Sequence, residues 1–435
     1  MAAISHPDVR IGFVGNVDSG KSTLIGVLSK GQPDDGRGLA RGFVLTHPHE
    51  KANGRTSSVA FEMMCFREDG AQILPARVSD GKNKAWKGMI GDADKVVTFV
   101  DLCGHERYQR TTVFGFLGAM LDYALIVVGA NMGVSRMTRE HIGLSLMAKV
   151  PMIVVVTKID IAPEEVYRKT LSDLQTILSS PKAGSQDVRL VAPVDDMAQL
   201  ALQVSSGALP VFSISSVTEQ GLAQLKELMR LLPSHNISNP EEPLIFRYMT
   251  DYKVPGIGLV VEGVVESGTV TEGRNYQLGP DSSGQFKPVQ VKSIEFMRTS
   301  VSSAIAGQTC SLAIRSSFTQ PDLRKGMLIA AESLRFAPSW SFDVDLNLVS
   351  HPTTMRVKYE CVAHIGTIRQ CVRTETVDPA SLPPGKKGTV LFTFTRKAEV
   401  VRPGESIVIR EGGRIRGIGT VLQTYIERKK VAPKS

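Results

Sequence analysis

Gly15-Asn16-Val17-Asp18-Ser19-Gly20-Lys21-Ser22-Thr23 is the stretch from which the rest of this chain can be read. It follows a short apolar run, Val9 to Val14, and precedes a helix-like segment, Leu24 to Lys30. In that setting of strand, glycine loop and helix, G-x-x-x-x-G-K-[ST] has a physical meaning. Gly15 and Gly20 let the backbone wrap tightly, so that successive N–H groups face a phosphate. The helix N-terminus adds partial positive charge, Lys21 reaches the β- and γ-phosphates, and Ser22 offers a hydroxyl to Mg²⁺. A glycine-rich turn without a ligand is the weaker explanation, since chance produces such a match in about one or two chains per hundred of this size.

Three further stretches sit at the ends of apolar runs. Asp101-Leu102-Cys103-Gly104-His105 follows Val96–Val100. Asp101 at a strand end can hold Mg²⁺ through water, and Gly104 brings a backbone N–H to the place of a γ-phosphate. Thr157-Lys158-Ile159-Asp160 ends the run Met152–Val156. Asp160 there can accept from guanine N1–H and N2–H₂, a donor pair that adenine lacks. A site built for such donors rejects the analogue by roughly 10⁴–10⁵. Lys158 would cover the base face, while Ser215, Ser216 and Val217, in Ser213-Ile214-Ser215-Ser216-Val217, could offer backbone N–H groups to the guanine oxygen.

Residues 9–232 alternate short continuous apolar runs (Val9–Val14, Val96–Val100, Ala124–Val128, Met152–Val156, Val211–Ile214) with helical patterns. Ile142, Leu146 and Val150 share one helical face that Pro151 should end; Leu222, Leu225, Met229 and Leu232 share another, stopped by Pro233. This predicts a doubly wound α/β domain over 1–233, with its ligand at the strand C-terminal ends. Two insertions interrupt it. The polar stretch 67–95 is expected as a hairpin or loop excursion, and 180–209 as a surface segment with a strand near Val188–Val191. After the linker Ser234 to Pro243 the pattern changes to strand-like runs between Gly, Pro and Asn/Asp/Ser turns: Leu259–Val265, Tyr276–Leu278, Ser341–Val349, Thr389–Phe394 and Ser406–Ile409. Pro338 breaks this half near residue 337, which predicts two β-barrels, 234–336 and 337–435.

A chain of 435 residues, 42% hydrophobic and 22% charged, has room for about two to four ordinary globular domains. Met1 to Pro7 lacks a signal-peptide pattern, and no run approaches the roughly 18–20 apolar residues of a membrane span. Five cysteines without a C-x-x-C pair point to reduced thiols and a cytoplasmic setting rather than a disulfide framework or zinc site. Residues 336–435 carry 16 Lys+Arg against 9 Asp+Glu, which is nearly the whole surplus of the chain's +8. Concentrated charge of this kind favours a polyanion, with Lys386, Lys387, Arg402, Arg410, Arg414 and Arg416 as candidate phosphate contacts.

The order G-N-V-D-S-G-K-S-T, D-L-C-G-H, T-K-I-D, S-I-S-S resembles the translational GTPases, the class of elongation factors Tu and 1-alpha. Gly54 to Val59, Thr111 to Gly115, His351-Pro352-Thr353-Thr354 and Gly366 to Gln370 are similar to the eukaryotic GTP-binding protein 1 and 2 group. The resemblance runs over residues 9 to about 425 and implies an α/β doubly wound P-loop GTPase domain followed by two all-β barrel domains. It implies GTP/GDP and Mg²⁺ as cofactors, with Ser22, Thr56 and Asp101 as metal ligands. Switch I would span about 31–59 and switch II about 101–116; Thr56 would sense the γ-phosphate and His105 would orient the attacking water. Asp18 would help hold a cation near the phosphates.

Two departures carry expectations. Thr157 stands where asparagine is usual, so one side-chain contact should be shortened or lost. Arg55 stands where elongation factor Tu has an apolar gate residue, so the water path to His105 should be gated differently. The sequence shows no intrinsic arginine finger, which predicts slow basal hydrolysis accelerated by a large partner. The implied partners of a monomer are the ribosome and aminoacyl-tRNA, in elongation, stalled-ribosome rescue or linked mRNA turnover. The alternative is a GTP-regulated RNA-binding scaffold for mRNA-decay factors.

Overall fold

Apolar, β-branched runs bounded by glycine form strands that are buried on both faces, which is the environment of a parallel sheet covered by helices. The computed structural model describes residues 8–45, 48, 50, 56, 59–76, 82–105, 108–180, 187–235, 239–412 and 414–429. The chain falls into two compact units, His6–Phe116 with Leu121–Asn236, and Ile237–Ser435 with Leu117–Met120 and Met1–Ser5.

The strands of the first unit are β1 (Asp8–Gly15), β2 (Ala60–Phe66), β3 (Gln72–Ile73), β4 (Lys95–Asp101), β5 (Tyr123–Gly129), β6 (Met152–Thr157), β7 (Asp187–Leu190) and β8 (Ala208–Ser213). Their order is β3-β2-β4-β1-β5-β6-β8-β7, with β2 and β3 antiparallel at one edge and the rest parallel. Sequence-adjacent strands therefore leave β1 on opposite sides, so a crevice opens at the C-terminal ends of β1, β4 and β5. Helices α1 (Lys21–Lys30) and α2 (Leu39–Val44) pack with the helix Leu222–Leu231 over a core that includes Phe13, Phe99, Leu24, Leu28, Val44 and Leu225.

The helix through Ile142 runs Arg136–Met147, so it ends before Val150. Lys149 adopts φ 55°, which turns the chain ahead of Pro151. The 67–95 excursion is a β2–β3 hairpin followed by a helix, Lys82–Ile90. The 180–209 insertion carries the edge strand β7 and a helix, Met197–Ser205, whose start Asp196 caps.

At the N-terminal end of β1 lies a buried charged group. Asp122 accepts from the Arg10 and His235 backbone N–H groups at 2.7 Å each and from Ser234 Oγ at 3.0 Å. Asp8 accepts from the Thr98 hydroxyl, and burial pushes its carboxyl up to about 7 against the pull of the Arg10 charge.

In the second unit the strands alternate inward and outward side chains, as a closed barrel requires. The first barrel is built from β9 (Ile245–Val254), β10 (Gly258–Ser267), β11 (Thr269–Thr271), β12 (Asn275–Gly279), β13 (Lys287–Phe296), β14 (Thr299–Val301), β15 (Ser303–Ile305), β16 (Thr309–Ser316) and β17 (Leu328–Ala330). Six of them close in the order β12-β17-β9-β10-β16-β13, β13 pairing back to β12. The second barrel closes as β18-β21-β20-β19-β22-β23, from Ser341–Leu348, Lys387–Phe394, Ile368–Asp378, Glu360–Ile365, Ser406–Glu411 and Arg414–Tyr425. Ion pairs tie the two barrels: Arg324 to Glu399, and Arg247 and Arg402 to both Glu266 and Glu405. Among the described residues no helix is long and apolar enough to cross a membrane.

Candidate nucleotide site

The loop after β1 turns at Asp18, whose φ is 59°, and at Gly20, whose φ is 90°. A side chain at Gly20 would be strained in that left-handed conformation. The loop delivers α1 with its first turn facing the crevice. Lys21 is buried, and its Nζ donates to the carbonyls of Gly15 at 3.0 Å and Asn16 at 2.7 Å. Burial pulls the Lys21 pKa down, and the charge on Asp101 opposes that. Gly104 approaches so closely that a Cβ there would lie 2.4 Å from Lys21 Nζ and 2.6 Å from the Gly15 carbonyl. That approach is what the D-x-x-G glycine provides.

Ser22, Thr56 and Asp101 come from three separate elements and meet. Asp101 Oδ2 accepts from Ser22 Oγ at 2.8 Å and from Thr56 Oγ1 at 2.9 Å, and the two hydroxyl oxygens are 3.0 Å apart. Asp101 Oδ1 is buried and has no hydrogen-bond partner among the described residues. Burial raises the Asp101 pKa while Lys21 and the two hydroxyls resist. A convergent set of carboxylate and hydroxyl oxygens with one orphaned oxygen fits a hard divalent cation such as Mg²⁺. Of the stretch Gly54 to Val59 only Thr56 and Val59 are described; Gly54, Arg55, Ser57 and Ser58, and with them part of the expected switch I, lie outside the described residues.

The threonine of the base motif makes a contact of its own. Thr157 Oγ1 donates to the Ser19 carbonyl at 2.6 Å, so the shorter side chain keeps a tether to the phosphate loop. It reaches because the C-terminal end of β6 lies directly beneath that loop, where a Cβ on Gly20 would be 3.4 Å from Thr157 Oγ1. Lys158, at φ 60°, donates to the Asp18 carbonyl at 2.7 Å, and Asp160 is exposed beyond it. The Ile159 N–H bonds the Ile214 carbonyl, which joins this loop to the one after β8. There Ser215 N donates to the Gln220 carbonyl, and Ser215 Oγ accepts from the N–H groups of Val217 and Thr218. Among the described residues, Ser216 alone of Ser215, Ser216 and Val217 keeps an unbonded backbone N–H for the guanine oxygen.

One pocket is lined by Val17, Asp18, Gly20, Lys21, Ser22, Thr23, Thr56, Gly104, His105 and Lys158, so the structure brings together the phosphate-facing residues singled out in the sequence. His105 meets the Tyr108 ring edge-on, with centroids 6.0 Å apart. Arg41 of α2 also lines the pocket, and sequence reasoning missed it. The basic residues of the last barrel divide. Arg402 is paired to Glu266 and Glu405, Arg410 is buried, and Arg416 bonds Glu411 at 2.9 Å, so these three are engaged inside the fold. Lys386, Lys387 and Arg414 are exposed.

A phosphate loop, a convergent set of carboxylate and hydroxyl oxygens, and two hydrogen-bonded loops at one end of a parallel sheet have the build of a P-loop nucleotide-binding protein. The family model of the elongation factor Tu GTP binding domain matches residues 6–235. The chain is 39% identical over 415 residues to GTP-binding protein 1 of Xenopus laevis, covering 95% of this chain and 63% of that protein. It is 36% identical over 423 residues to GTP-binding protein 2 of Homo sapiens, covering 95% of this chain and 69% of the relative. Among solved structures it resembles a bacterial selenocysteine-specific elongation factor EF-Sec, at TM-score 0.67 and 20% identity, with 97% of this chain and 59% of that one covered. It also resembles elongation factor SelB from Methanococcus maripaludis in complex with GppNHp, at TM-score 0.67 and 19% identity, over 96% and 79%. The chain belongs to the translational GTPase family, is homologous to GTP-binding proteins 1 and 2, and is a GTPase.

Proposed function

We propose that this GTPase acts as a switch on the ribosome, together with aminoacyl-tRNA. The observation that carries the reading is the bonding of Thr56 to both Ser22 and Asp101. A switch-segment hydroxyl so placed gives the chain a way to register a γ-phosphate. Lys21 and the loop N–H groups bind the β- and γ-phosphates, and Ser22, Thr56 and Asp101 hold Mg²⁺. When bound, the cation neutralises charge on the phosphate oxygens. Asp160 and the Ser216 N–H read the guanine edge. His105 accepts from the attacking water and aligns it. The exposed cations of the last barrel support contact with a polyanion.

The test is GTP hydrolysis with and without ribosomes and charged tRNA. Stimulation is expected, and His105→Ala should lose about 10²–10⁴-fold of the stimulated rate while still binding GTP. A wild-type rate unchanged by ribosomes would overturn the reading.

A further inference from the structure

We propose that Arg41 is an arginine finger supplied in cis: its guanidinium stabilises the charge that develops on the γ-phosphoryl group as GTP is hydrolysed. Arg41 lies on α2, in the first half of the segment that leads to Thr56, and it shares the phosphate pocket with Lys21, Thr56, Gly104 and His105. It is half-buried, and among the described residues its guanidinium has no hydrogen-bond or ion-pair partner. An arginine partly withdrawn from water beside a polyanion site, with no carboxylate of its own, is poised for a ligand oxygen.

The backbone beneath it is fixed. Gly26 of α1 lets α2 approach so closely that a Cβ at 26 would fall 2.1 Å from the Ala40 carbonyl. Ala40 and Val44 are buried in the sheet's core. Asp34 Oδ1 accepts from the Ala40 N–H at 2.9 Å and Oδ2 from Gly36 N–H at 3.1 Å, while Asp34 N–H donates to the Ser216 carbonyl at 2.9 Å. Asp35 Oδ1 accepts from the N–H groups of Arg37 and Leu39. Gly38, at φ 97°, leaves the space that the Arg41 side chain takes, since a Cβ there would be 2.3 Å from Arg41 Nε. The base of the finger is thus braced through Asp34 to the loop after β8, and its side chain already lines the phosphate pocket.

Phosphoryl transfer spreads charge over the three equatorial oxygens, and donors already aimed there act without reorganisation. Lys21 lines the pocket from the start of α1, and Arg41 lines it from α2. Arg41 stays protonated throughout: water oxygen bonds the γ-phosphorus as the bridging P–O bond to GDP breaks, GDP leaves with that electron pair, and the water's proton ends on the inorganic phosphate formed.

The experiment uses the full chain without ribosomes, so it stands apart from the translational reading above. Single-turnover GTP hydrolysis, GDP and GppNHp affinities, and trapping of GDP with aluminium fluoride are measured for wild type, Arg41→Ala and Arg41→Lys. The expected result is a rate loss on the order of 10²–10³-fold for Arg41→Ala, with GDP and GppNHp affinities within about threefold and aluminium fluoride trapping abolished. Arg41→Lys should recover less than a tenth of the wild-type rate, because an ammonium lacks the planar fork. Retained GDP binding shows that each variant is folded. Arg41→Ala hydrolysing within threefold of wild type, a rate loss matched by equal loss of GppNHp affinity, or a wild type that traps no aluminium fluoride would each overturn the proposal.

Discussion

Replacing Thr157 by valine removes a hydroxyl and almost nothing else. The side chain is 2% exposed, its Oγ1 donates at 2.6 Å to the carbonyl of Ser19, and a second carbonyl, Val128, lies at 3.4 Å. Valine keeps the shape, so cavity terms stay small, while the Ser19 carbonyl is left without its donor. A buried acceptor stripped of its partner costs about 1–3 kcal/mol. In a unit of this size each kcal/mol corresponds to roughly 2–4 °C in Tm, so a fall of about 3–10 °C is expected. Part of the cost can appear instead as weaker nucleotide binding, about tenfold for each 1.4 kcal/mol. Both are therefore measured: thermal unfolding with and without GDP, and GDP affinity by fluorescent displacement. Thr157→Asn serves as the counterpart, since its amide also donates and should recover most of the loss. A Thr157→Val protein with Tm and GDP affinity both unchanged would refute the view that threonine has taken over the tether.

Two further outcomes follow from the charges. Asp8 has a folded-state pKa of about 7 against 3.8 for the ordinary carboxyl, so the folded chain binds more protons across that window and stability falls as pH rises through it. Asp8→Asn should flatten the slope by up to about 1.4 kcal/mol per pH unit, read from urea midpoints between pH 4.5 and 7.5; an unchanged slope would count against it. For RNA, Lys386→Ala and Lys387→Ala should each lower the slope of log affinity against log salt by about 0.7–0.9 with tRNA as probe. Equal slopes in wild type and the double variant would remove this end of the barrel from the interface.

Where the sequence was legible, the relevant physics was local. The phosphate loop, Asp101 and the Thr157–Asp160 turn are specified by neighbouring residues, and the largely apolar strands β1, β4, β5 and β6 need no partner to be recognised. β2 escaped because Glu62 sits in the middle of its methionine-rich run, yet that carboxyl is 2% exposed. β13 escaped because Lys287 to Phe296 alternates polar and apolar residues, the pattern of a barrel wall rather than of a buried run. Arg41 escaped for a different reason. Nothing near it in sequence marks it as a phosphate ligand; its position follows from the contact of Gly26 with Ala40 and from Asp34 reaching Ser216.

The same distinction governs the basic barrel. Counting charges treated Arg402 and Lys386 alike, but Arg402 finds Glu266, distant in sequence, across the seam between the barrels, whereas Lys386 stands in an exposed Pro-Pro-Gly-Lys-Lys turn. A cation already bonded to two carboxylates would have to break those bonds to neutralise a phosphate, and the carboxylates left behind would repel the ligand. Net surplus is therefore a weak guide to where a polyanion docks on a two-barrel unit sewn together by arginine–glutamate pairs. Lys386 and Lys387 stand exposed on a turn, where holding a side chain against a partner of the same chain costs more entropy than a surface pair returns.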